Sequence, residues 1–500
     1  MTDGLPTGWT DAALEQLVHI NPPGSSMAVP DEQHVSFVPM AAVEALSGRI
    51  DTSGTRAFGE VKKGFTRFLD GDVLFAKITP CMENGKIAVA RGLKGGVGCG
   101  STEFHVLRSR GAVLPDYLRY FLVQSSFRQE AERNMQGAVG QRRVPTEYLR
   151  QSRMPTAPLG EQQRIVSRIE ELFSEIDEGE RALERVGRLV ERYRQSVLKA
   201  AVTGELTRCW RASIEPAVGW DAKLNDLRRG SWFATRKLAA VKAGDYPEPT
   251  RPKIGLDIEL PASWALLSVE AATLAERPIA YGVLQPGPEL EDGVPMVRVC
   301  DVIDGQVQTA SLKRVAPEVV AQFPRTKLRG GEVLLTIVGT IGRTGIVPPT
   351  LAGANVARAM AVLCAQPGVR AQWLELCLRE ERMRQLLTGN SREVARKTLN
   401  LEQLRECAIP VPPIEEQDEA ISRARAMLSG ADATAADLVR QAKAATALRQ
   451  SILKSAFSGQ LVPQDPRDEP ASALLARLAA QASDAQATPR RRDARRTADA

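Results

Sequence analysis

The chain of 500 residues has few of the residues from which most catalytic and metal sites are built. It contains only three histidines, His19, His34 and His105, so an acid–base or metal site that depends on imidazole is poorly supplied. Its seven cysteines never form a C-x-x-C pair, which argues against zinc modules and fits reduced thiols. No run of about 18 apolar residues occurs, so no transmembrane helix is predicted. The N-terminus lacks the basic and apolar regions of a secretory signal, and we expect a cytoplasmic protein.

No part of the chain carries a large excess of charge. The formal net charge is +6, from 66 basic and 60 acidic residues. Counted over residues 1–150, 151–259, 260–415 and 416–500, each segment has a net charge of +1 or +2. An anionic partner would therefore have to meet basic residues gathered on particular faces, because no segment is a polycation.

An internal repeat organises the sequence. Residues 194–206 match residues 449–461 at eight of thirteen positions, which is an offset of 255. The same offset relates the Glu-Gln pair at 161–162 to the pair at 416–417. We infer a tandem duplication of about half the chain.

Each half has the pattern of a mixed block followed by a long helix. Strand-like runs such as Val73–Ile78 and Val333–Val338 alternate with helical patterns and with glycine and proline, which predicts an α+β fold. The predicted segments are a first block at 1–158, a long helix at 159–206, a linker at 207–259, a second block at 260–413, a second long helix at 414–461 and a disordered basic tail at 462–500.

The two long helices have complementary patterns. Apolar residues of the first recur at the alternating spacing of four and three that is typical of a coiled coil. These residues are Ile165, Ile169, Leu172, Ile176, Leu183, Val186, Val190, Tyr193 and Val197. The second helix carries mostly small residues, such as Ala420, Ala424 and Ala431. We predict a close antiparallel pair, which would relate the two blocks by a pseudo-two-fold axis.

Two short patterns in the first block allow an enzymatic interpretation. Asn21-Pro-Pro is similar to the core of the adenine-methyltransferase tetrapeptide, but Gly24 stands where an aromatic residue would stack on the flipped base. Asp31, Glu60 and Lys62 fit a loose pattern of metal-dependent nucleases. Such patterns often arise by chance, and a turn explains the first. A nuclease or methyltransferase with its own site in the first block remains the alternative function.

Several longer motifs, together with the duplication, carry a more specific resemblance. They are Leu5-Pro-x-Gly-Trp9, Gly71-Asp-Val-Leu-Phe-Ala-Lys77, Pro155-x-x-Pro-x-Gly-Glu-Gln-Gln-Arg-Ile165, Tyr281-Gly-Val-Leu-Gln-Pro286 and Gly459-Gln-Leu-Val-Pro-Gln464. In these features the chain resembles the specificity subunits of bacterial type I restriction–modification systems. The resemblance implies two target recognition domains, each reading one half of a bipartite site in double-stranded DNA. It also implies two helices that fix the spacer between the half-sites and dock the partner subunits.

The resemblance further implies a noncatalytic chain that binds no cofactor itself. Its expected partners are two methyltransferase (modification) subunits, which use S-adenosylmethionine, and motor-nuclease (restriction) subunits, which use ATP and Mg²⁺. The specificity of the assembled enzyme would then come from this chain alone.

We expect base reading by polar side chains in loops, because glutamine can pair with adenine and arginine with guanine. The candidates in the first block are Lys77, Asn84, Lys86, Thr102, Glu103, Gln141, Arg142 and Arg143. Those in the second block are Thr340, Arg343, Asn355, Arg358, Arg396 and Lys397. Glu161, Gln162, Glu416 and Gln417 open the long helices and are candidates for partner docking, or for simple stabilisation of the helix N-termini.

Overall fold

The computed structural model describes residues 4–23, 29–138, 140–236, 243–255, 259–303, 305–389 and 398–487. The chain divides into two compact units, of which the first comprises Met1–Leu183 with Arg440–Ala500 and the second Glu184–Val439. Each unit combines β-sheets with helices, which confirms the predicted α+β class.

The first unit contains ten strands among its described residues. They are β1 (Thr10–Ala13), β2 (Val18–Ile20), β3 (His34–Val38), β4 (Thr55–Ala57), β5 (Thr66–Leu69), β6 (Val73–Ala76), β7 (Ile87–Val89), β8 (Val97–Gly100), β9 (Phe104–Ser109) and β10 (Arg153–Thr156). Its helices are α1 (Leu14–Leu17), α2 (Phe58–Val61), α3 (Pro115–Leu122), α4 (Ser125–Arg133) and α5 (Thr146–Gln151), followed by the long α6 (Leu159–Val202), which continues into the second unit.

These strands form two four-stranded sheets, ordered β2-β9-β6-β7 and β4-β3-β8-β5, and the two-stranded β1–β10. Strand β6 is apolar throughout and is buried on both faces. The glycines of β8 have a packing cause, because a Cβ atom on Gly98 would lie 2.2 Å from the ring of the buried Phe68. The glycine-rich run before β9 therefore makes room for an aromatic side chain of the core.

The second unit holds the remaining strands. They are β11 (Ala265–Ser268), β12 (Ala280–Tyr281), β13 (Val294–Val297), β14 (Val302–Ile303), β15 (Gly305–Val307), β16 (Lys313–Val315), β17 (Val333–Thr336), β18 (Thr344–Ile346), β19 (Asn355–Val356), β20 (Met360–Leu363) and β21 (Ala408–Val411). The helices that follow α6 are α7 (Arg208–Arg211), α8 (Trp220–Ala234), α9 (Pro317–Ala321), α10 (Ala371–Arg379), α11 (Glu381–Gly389), α12 (Leu401–Glu406), the long α13 (Ile414–Phe457) and α14 (Ala471–Ala487), the last of which belongs to the first unit. The sheets are ordered β12-β20-β17-β18-β15-β14, β16-β13-β19 and β11-β21.

The sequence repeat is a repeat of structure in detail. Thr10 of β1 lies opposite Thr156 of β10, and Ala265 of β11 lies opposite Val411 of β21, at the offset of 255 on both strands. Helices α5 and α6 recur as α12 and α13 at the same offset. The parallel pairing of β3 with β8 recurs as that of β13 with β19. The duplicated unit thus includes both the block and the long helix.

The long helices contact each other in antiparallel fashion within each unit. In the second unit Arg194 of α6 donates to Asp432 of α13 at 2.5 Å, and Arg423 of α13 donates to the carbonyl of Leu206 at 3.1 Å. In the first unit Arg449 donates to Glu180 at 2.6 Å. The predicted antiparallel pair is therefore confirmed.

The predicted apolar seam is wrong in the middle of the pair. Ile165, Ile169 and Val197 are buried, but Val186 and Tyr193 have 38% and 44% of their surface exposed. The small residues of α13 offer little side chain for them to interlock with. The contacts in this region include the ion pair of Arg194 with Asp432 and the approach of Leu438 to Gly187.

The segments after the long helices are also part of the repeat. Leu224 of α8 packs against Gly368, and Leu478 of α14 packs against Gly111. The prediction of a disordered tail is wrong for residues 471–487, because α14 places apolar side chains such as Leu474 against the core of the first unit. The arginine-rich residues 488–500 lie outside the described part of the chain.

A buried glutamine ties each long helix to its block. The side-chain oxygen of Gln417 accepts from the N–H of Arg370 at 2.8 Å, and its amide donates to the carbonyls of Gly368 (3.0 Å) and Pro412 (2.8 Å). Gln162 repeats this arrangement with three backbone groups of the first block, those of Leu114, Ala112 and Ala157. Each amide thus satisfies backbone groups that would otherwise be buried without partners.

We expect Gln417→Ala to lower the free energy of unfolding of the second unit by about 2–3 kcal/mol, because it leaves three buried backbone groups without this partner. Chemical denaturation followed by circular dichroism measures the effect. Arg425→Ala, at an exposed position of the same helix within the second unit, is the control and should change stability by less than about 0.5 kcal/mol. Equal stability of the two variants would contradict this role of Gln417.

Candidate nucleic-acid interface

A groove of about 430 Å³ opens in the first block beside the ends of β6 and β9. Lys77, which follows β6, and Thr102, which precedes β9, both line it, together with the ring of Phe65. Lys77 is partly exposed and Thr102 is exposed. The groove therefore presents an ammonium group, a hydroxyl group and an aromatic ring to solvent.

Backbone pairing brings a third segment, the loop before α5, to the same place. The N–H of Val144 donates to the carbonyl of Lys77 at 2.9 Å, and the N–H of Lys77 donates to the carbonyl of Glu103 at 2.9 Å. Arg143 donates from Nε and Nη2 to both carboxylate oxygens of Glu103, at 2.9 Å each. This hydrogen-bonded pair lowers the pKa of Glu103, so its carboxylate is ionised and the pair is neutral overall.

The other candidates of the first block differ in how they face solvent. Asn84 and Gln141 are exposed. Lys86 donates to the carbonyl of Met40 at 2.9 Å, and Arg142 lies 3.6 Å from Glu83. The structure thus brings Lys77, Thr102, Glu103 and Arg143 together and turns Lys86 and Arg142 towards acceptors within the block.

In the second block two of the candidates lie in a tight turn after β17. The hydroxyl of Thr336 accepts from the N–H of Arg343 at 2.9 Å and donates to the carbonyl of Thr340. The side chains of Thr340 and Arg343 are exposed, as is that of Arg358. The turn holds its backbone rigidly and leaves both side chains available.

Asn355 corrects one expectation, because it is fully buried and contacts no solvent. It lies in β19, and its amide donates to the carbonyl of Phe323 at 3.1 Å, so it supports the core and is not available to a base. The two remaining candidates, Arg396 and Lys397, lie outside the described residues.

The predicted docking residues are also corrected, since all four side chains are buried. The carboxylate of Glu416 accepts from Thr207 at 2.7 Å, from the indole of Trp264 at 2.9 Å, and from Arg211. Burial raises the pKa of Glu161, its counterpart in the first unit. As with the glutamines, these contacts join each helix to its own unit and leave little for a partner to touch.

The Asn21 motif has a structural explanation. Asn21 has a left-handed backbone with φ of 51°, its side-chain oxygen accepts from the N–H of Val106 at 3.0 Å, and its amide lies 3.0 Å from Nδ1 of His105. Nε2 of His105 lies 2.9 Å from the carbonyl of Val144, which can only accept, so Nε2 carries the proton and Nδ1 accepts from Asn21. The amide of Asn21 is thus used to hold the block together.

The loose nuclease pattern also has an ordinary explanation. Lys62 donates to Asp31 at 2.5 Å in a solvent-exposed ion pair, and Glu60 is exposed. Within the described ranges, no group of three or more His, Cys, Asp or Glu residues is placed to hold a metal ion. In the same ranges no helix is both long enough and apolar enough to cross a membrane.

No protein-family model matches the chain. Among curated proteins it is similar to the specificity subunit of the type I restriction enzyme EcoBI of Escherichia coli, with 32% identity over 342 residues, which cover 67% of this chain and 65% of that subunit. It is also similar to the EcoEI specificity subunit of Escherichia coli, with 26% identity over 461 residues, covering 84% of this chain and 77% of that subunit. The first match therefore spans just under two thirds of its relative.

Among solved structures the chain is similar to one determined for complex assembly and conformational transition of a type I restriction–modification system. The TM-score is 0.63 at 19% identity, and the match covers 91% of this chain and 99% of that one. The chain has two α+β blocks, and each block is joined at the same register to one of two antiparallel helices. The fold therefore defines a class of protein in which one unit of block and helix occurs twice. Within that class, the chain belongs to the family of type I restriction enzyme specificity subunits, as the sequence motifs predicted.

The pH dependence of stability tests the protonation of His105. Burial lowers its pKa, so the folded protein keeps the ring neutral while the unfolded chain takes up a proton near pH 6.5. The free energy of unfolding should therefore fall as the pH drops below about 6.5, by at most about 1.4 kcal/mol per pH unit from this group. We expect His105→Gln to lose this part of the slope in denaturation experiments between pH 8 and pH 5.

The matched variant is His34→Gln, at the exposed start of β3. It controls for the loss of a histidine as such. An identical slope in His105→Gln and in the unchanged protein would contradict the neutral, doubly hydrogen-bonded ring.

Proposed function

We propose that the chain is the noncatalytic DNA-specificity subunit of a type I restriction–modification complex, and that each block reads one half of a bipartite site in double-stranded DNA. The observation that carries the proposal is the duplication, in which one fold occurs twice and meets its long helix at the same register. Two blocks of the same fold can each read one half of a two-part site, as the two subunits of a dimeric DNA-binding protein each read one half of a palindrome.

The side chains at equivalent positions support different half-sites. The bridge between Ile78 and Arg143 corresponds to that between Val338 and Thr398, so the second block has Ile337 in place of Lys77 and Thr398 in place of Arg143. The backbone bond that accompanies the bridge is kept, since the N–H of Leu399 donates to the carbonyl of Ile337 at 2.9 Å. The same frame thus presents two different surfaces, and the two half-sites should differ in sequence.

The long helices are the proposed spacer between the half-sites and the docking surface for two modification subunits. Val186, Leu189 and Tyr193 of α6 have 38%, 54% and 44% of their surface exposed. Their spacing of three and four places them on one face of the helix. An apolar stripe that faces water on a subunit of a larger enzyme is suited to helices of a partner with a similar stripe.

In this assembly the chemistry belongs to the partners. The modification subunits would use S-adenosylmethionine, and the motor-nuclease subunits would use ATP and Mg²⁺. The complex would act on cytoplasmic DNA, and this chain would contribute binding and orientation only.

Sequencing of the methylated positions in cells that express the chain with its genomic neighbours tests the proposal. We expect one bipartite motif with a fixed spacer. Replacing residues 1–158 by the block of a relative should change one half of the motif only, since each block reads its own half. Replacing residues 260–413 is the reciprocal control and should change the other half. An unchanged motif after both exchanges would reject DNA reading by the blocks.

The docking surface is tested by a charge in its centre. We expect Leu189→Glu to weaken co-purification with the modification subunit at least about tenfold, because the carboxylate would have to be desolvated in an apolar interface. Arg192→Glu, which changes an exposed polar position of the same helix, should bind like the unchanged chain. Circular dichroism reports whether the helix is intact, and equal binding by Leu189→Glu would reject this surface.

A further inference from the structure

Arg56 differs from its neighbours in how its guanidinium group is used. It lies on β4 with its side chain exposed, and its Cζ atom is 4.3 Å from the centroid of the Phe37 ring. Among the described residues the guanidinium group has neither an ion pair nor a hydrogen bond. Its donors are therefore available, while the cationic group lies over an aromatic face.

Most other arginines of the first block are already committed. Their partners include Glu44 for Arg49, Asp116 for Arg91, Asp72 for Arg108, Glu130 for Arg133, Glu103 for Arg143 and Asp11 for Arg153. Arg110 resembles Arg56 in having no such partner within the described ranges, but it follows the end of β9 that lies away from Thr102. Within the described part of the first block, Arg56 thus combines a guanidinium group without a polar partner and a contact with an aromatic ring.

An aromatic contact connects Arg56 to the groove. The rings of Phe37 and Phe65 meet edge to face, with centroids 5.1 Å apart, and Phe65 lines the groove together with Lys77. Arg56 also lies on β4, an edge strand of the sheet β4-β3-β8-β5. The side chain therefore stands at a margin of the block, and two successive ring contacts connect it to the groove.

In the second block a valine takes the place of Arg56. Backbone pairing aligns β13 and β16 with β3 and β4, so that the pair Val294–Val315 corresponds to the pair Val35–Arg56. Val315 is fully buried, and Met296 stands where the first block has the aromatic ring. Of the two blocks, the first therefore has the exposed arginine and its aromatic contact.

We propose that Arg56 is a specificity-determining residue that reads a guanine in the half-site of the first block, which rests on the proposed function. The planar guanidinium group can donate two parallel hydrogen bonds to O6 and N7 of guanine in the major groove. The contact with Phe37 restricts the guanidinium group before binding, so less conformational freedom is lost when a base is bound. Lys77 has a compact ammonium group without this geometry and is better suited to phosphate.

The test is the methylation pattern of the complete complex with Arg56 replaced. Arg56→Ala should relax the preference for one guanine in one half-site by about five- to 150-fold, the range of a bidentate arginine–guanine contact. The other half-site should stay unchanged. Arg56→Lys should be relaxed at the same position, because it keeps the charge and loses the planar fork. Phe37→Leu should weaken the preference less, because the arginine remains but is no longer held.

Arg133→Ala is the matched control, since it removes another exposed arginine of the block, whose pair with Glu130 is on the surface. It should leave both half-sites unchanged. Uniformly weaker methylation with an unchanged motif in Arg56→Ala would overturn the inference in favour of a phosphate contact, and a pattern like that of the unchanged chain would overturn it outright. The absence of any bipartite motif with the unchanged chain would instead reject the proposed function.

Discussion

The constraint on which both units depend is the burial of one glutamine at the start of each long helix. Gln162 and Gln417 each join a block to its helix through three backbone hydrogen bonds of nearly equal length. Because the side chain has both donors and an acceptor, it can satisfy N–H and C=O groups at once, which a glutamate could not do. The angle at which each block leaves its helix is thereby set by main-chain groups, independently of the residues elsewhere in the block.

This junction allows the surfaces of the two blocks to diverge. The register of β1 with β10 and of β11 with β21 is the same, and so are the bounds of α5 and α12 relative to the helices. Further from the junction the blocks differ, since the sheet with β6 has four strands and its counterpart with β17 has six. For the proposed function this division is useful, because substitutions in the loops could change which bases are read without moving the block on its helix.

The sequence predicted the architecture well and the individual contacts poorly, for physical reasons. The repeat offset and the apolar periodicity of α6 depend on many residues, so single exceptions do not obscure them. Whether Asn355 faces a base or a core depends on one register position in β19, which no local pattern reveals. The Glu-Gln pairs looked like exposed helix starts, because polar residues are usually exposed and their backbone partners lie about 50 residues away in the chain. The alanine-rich composition of the tail predicts disorder, and only the spaced leucines of α14 indicate a helix that packs on the core.

The ion pairs of the first block neutralise several of its cations, which is how basic residues can be numerous while the net charge stays small. Arg143 and Glu103 neutralise each other at the groove, and Arg142 lies near two carboxylates. Each such pair gains little stability in water, but it removes one cation from the field that would attract any DNA without regard to sequence. Under the proposed function, contact with DNA would then fall, within the described part of the first block, to the few groups that have no partner in the block. If the chain has the proposed function, it would bind random DNA weakly and obtain its discrimination from geometry, as a complex that must ignore most of a genome requires.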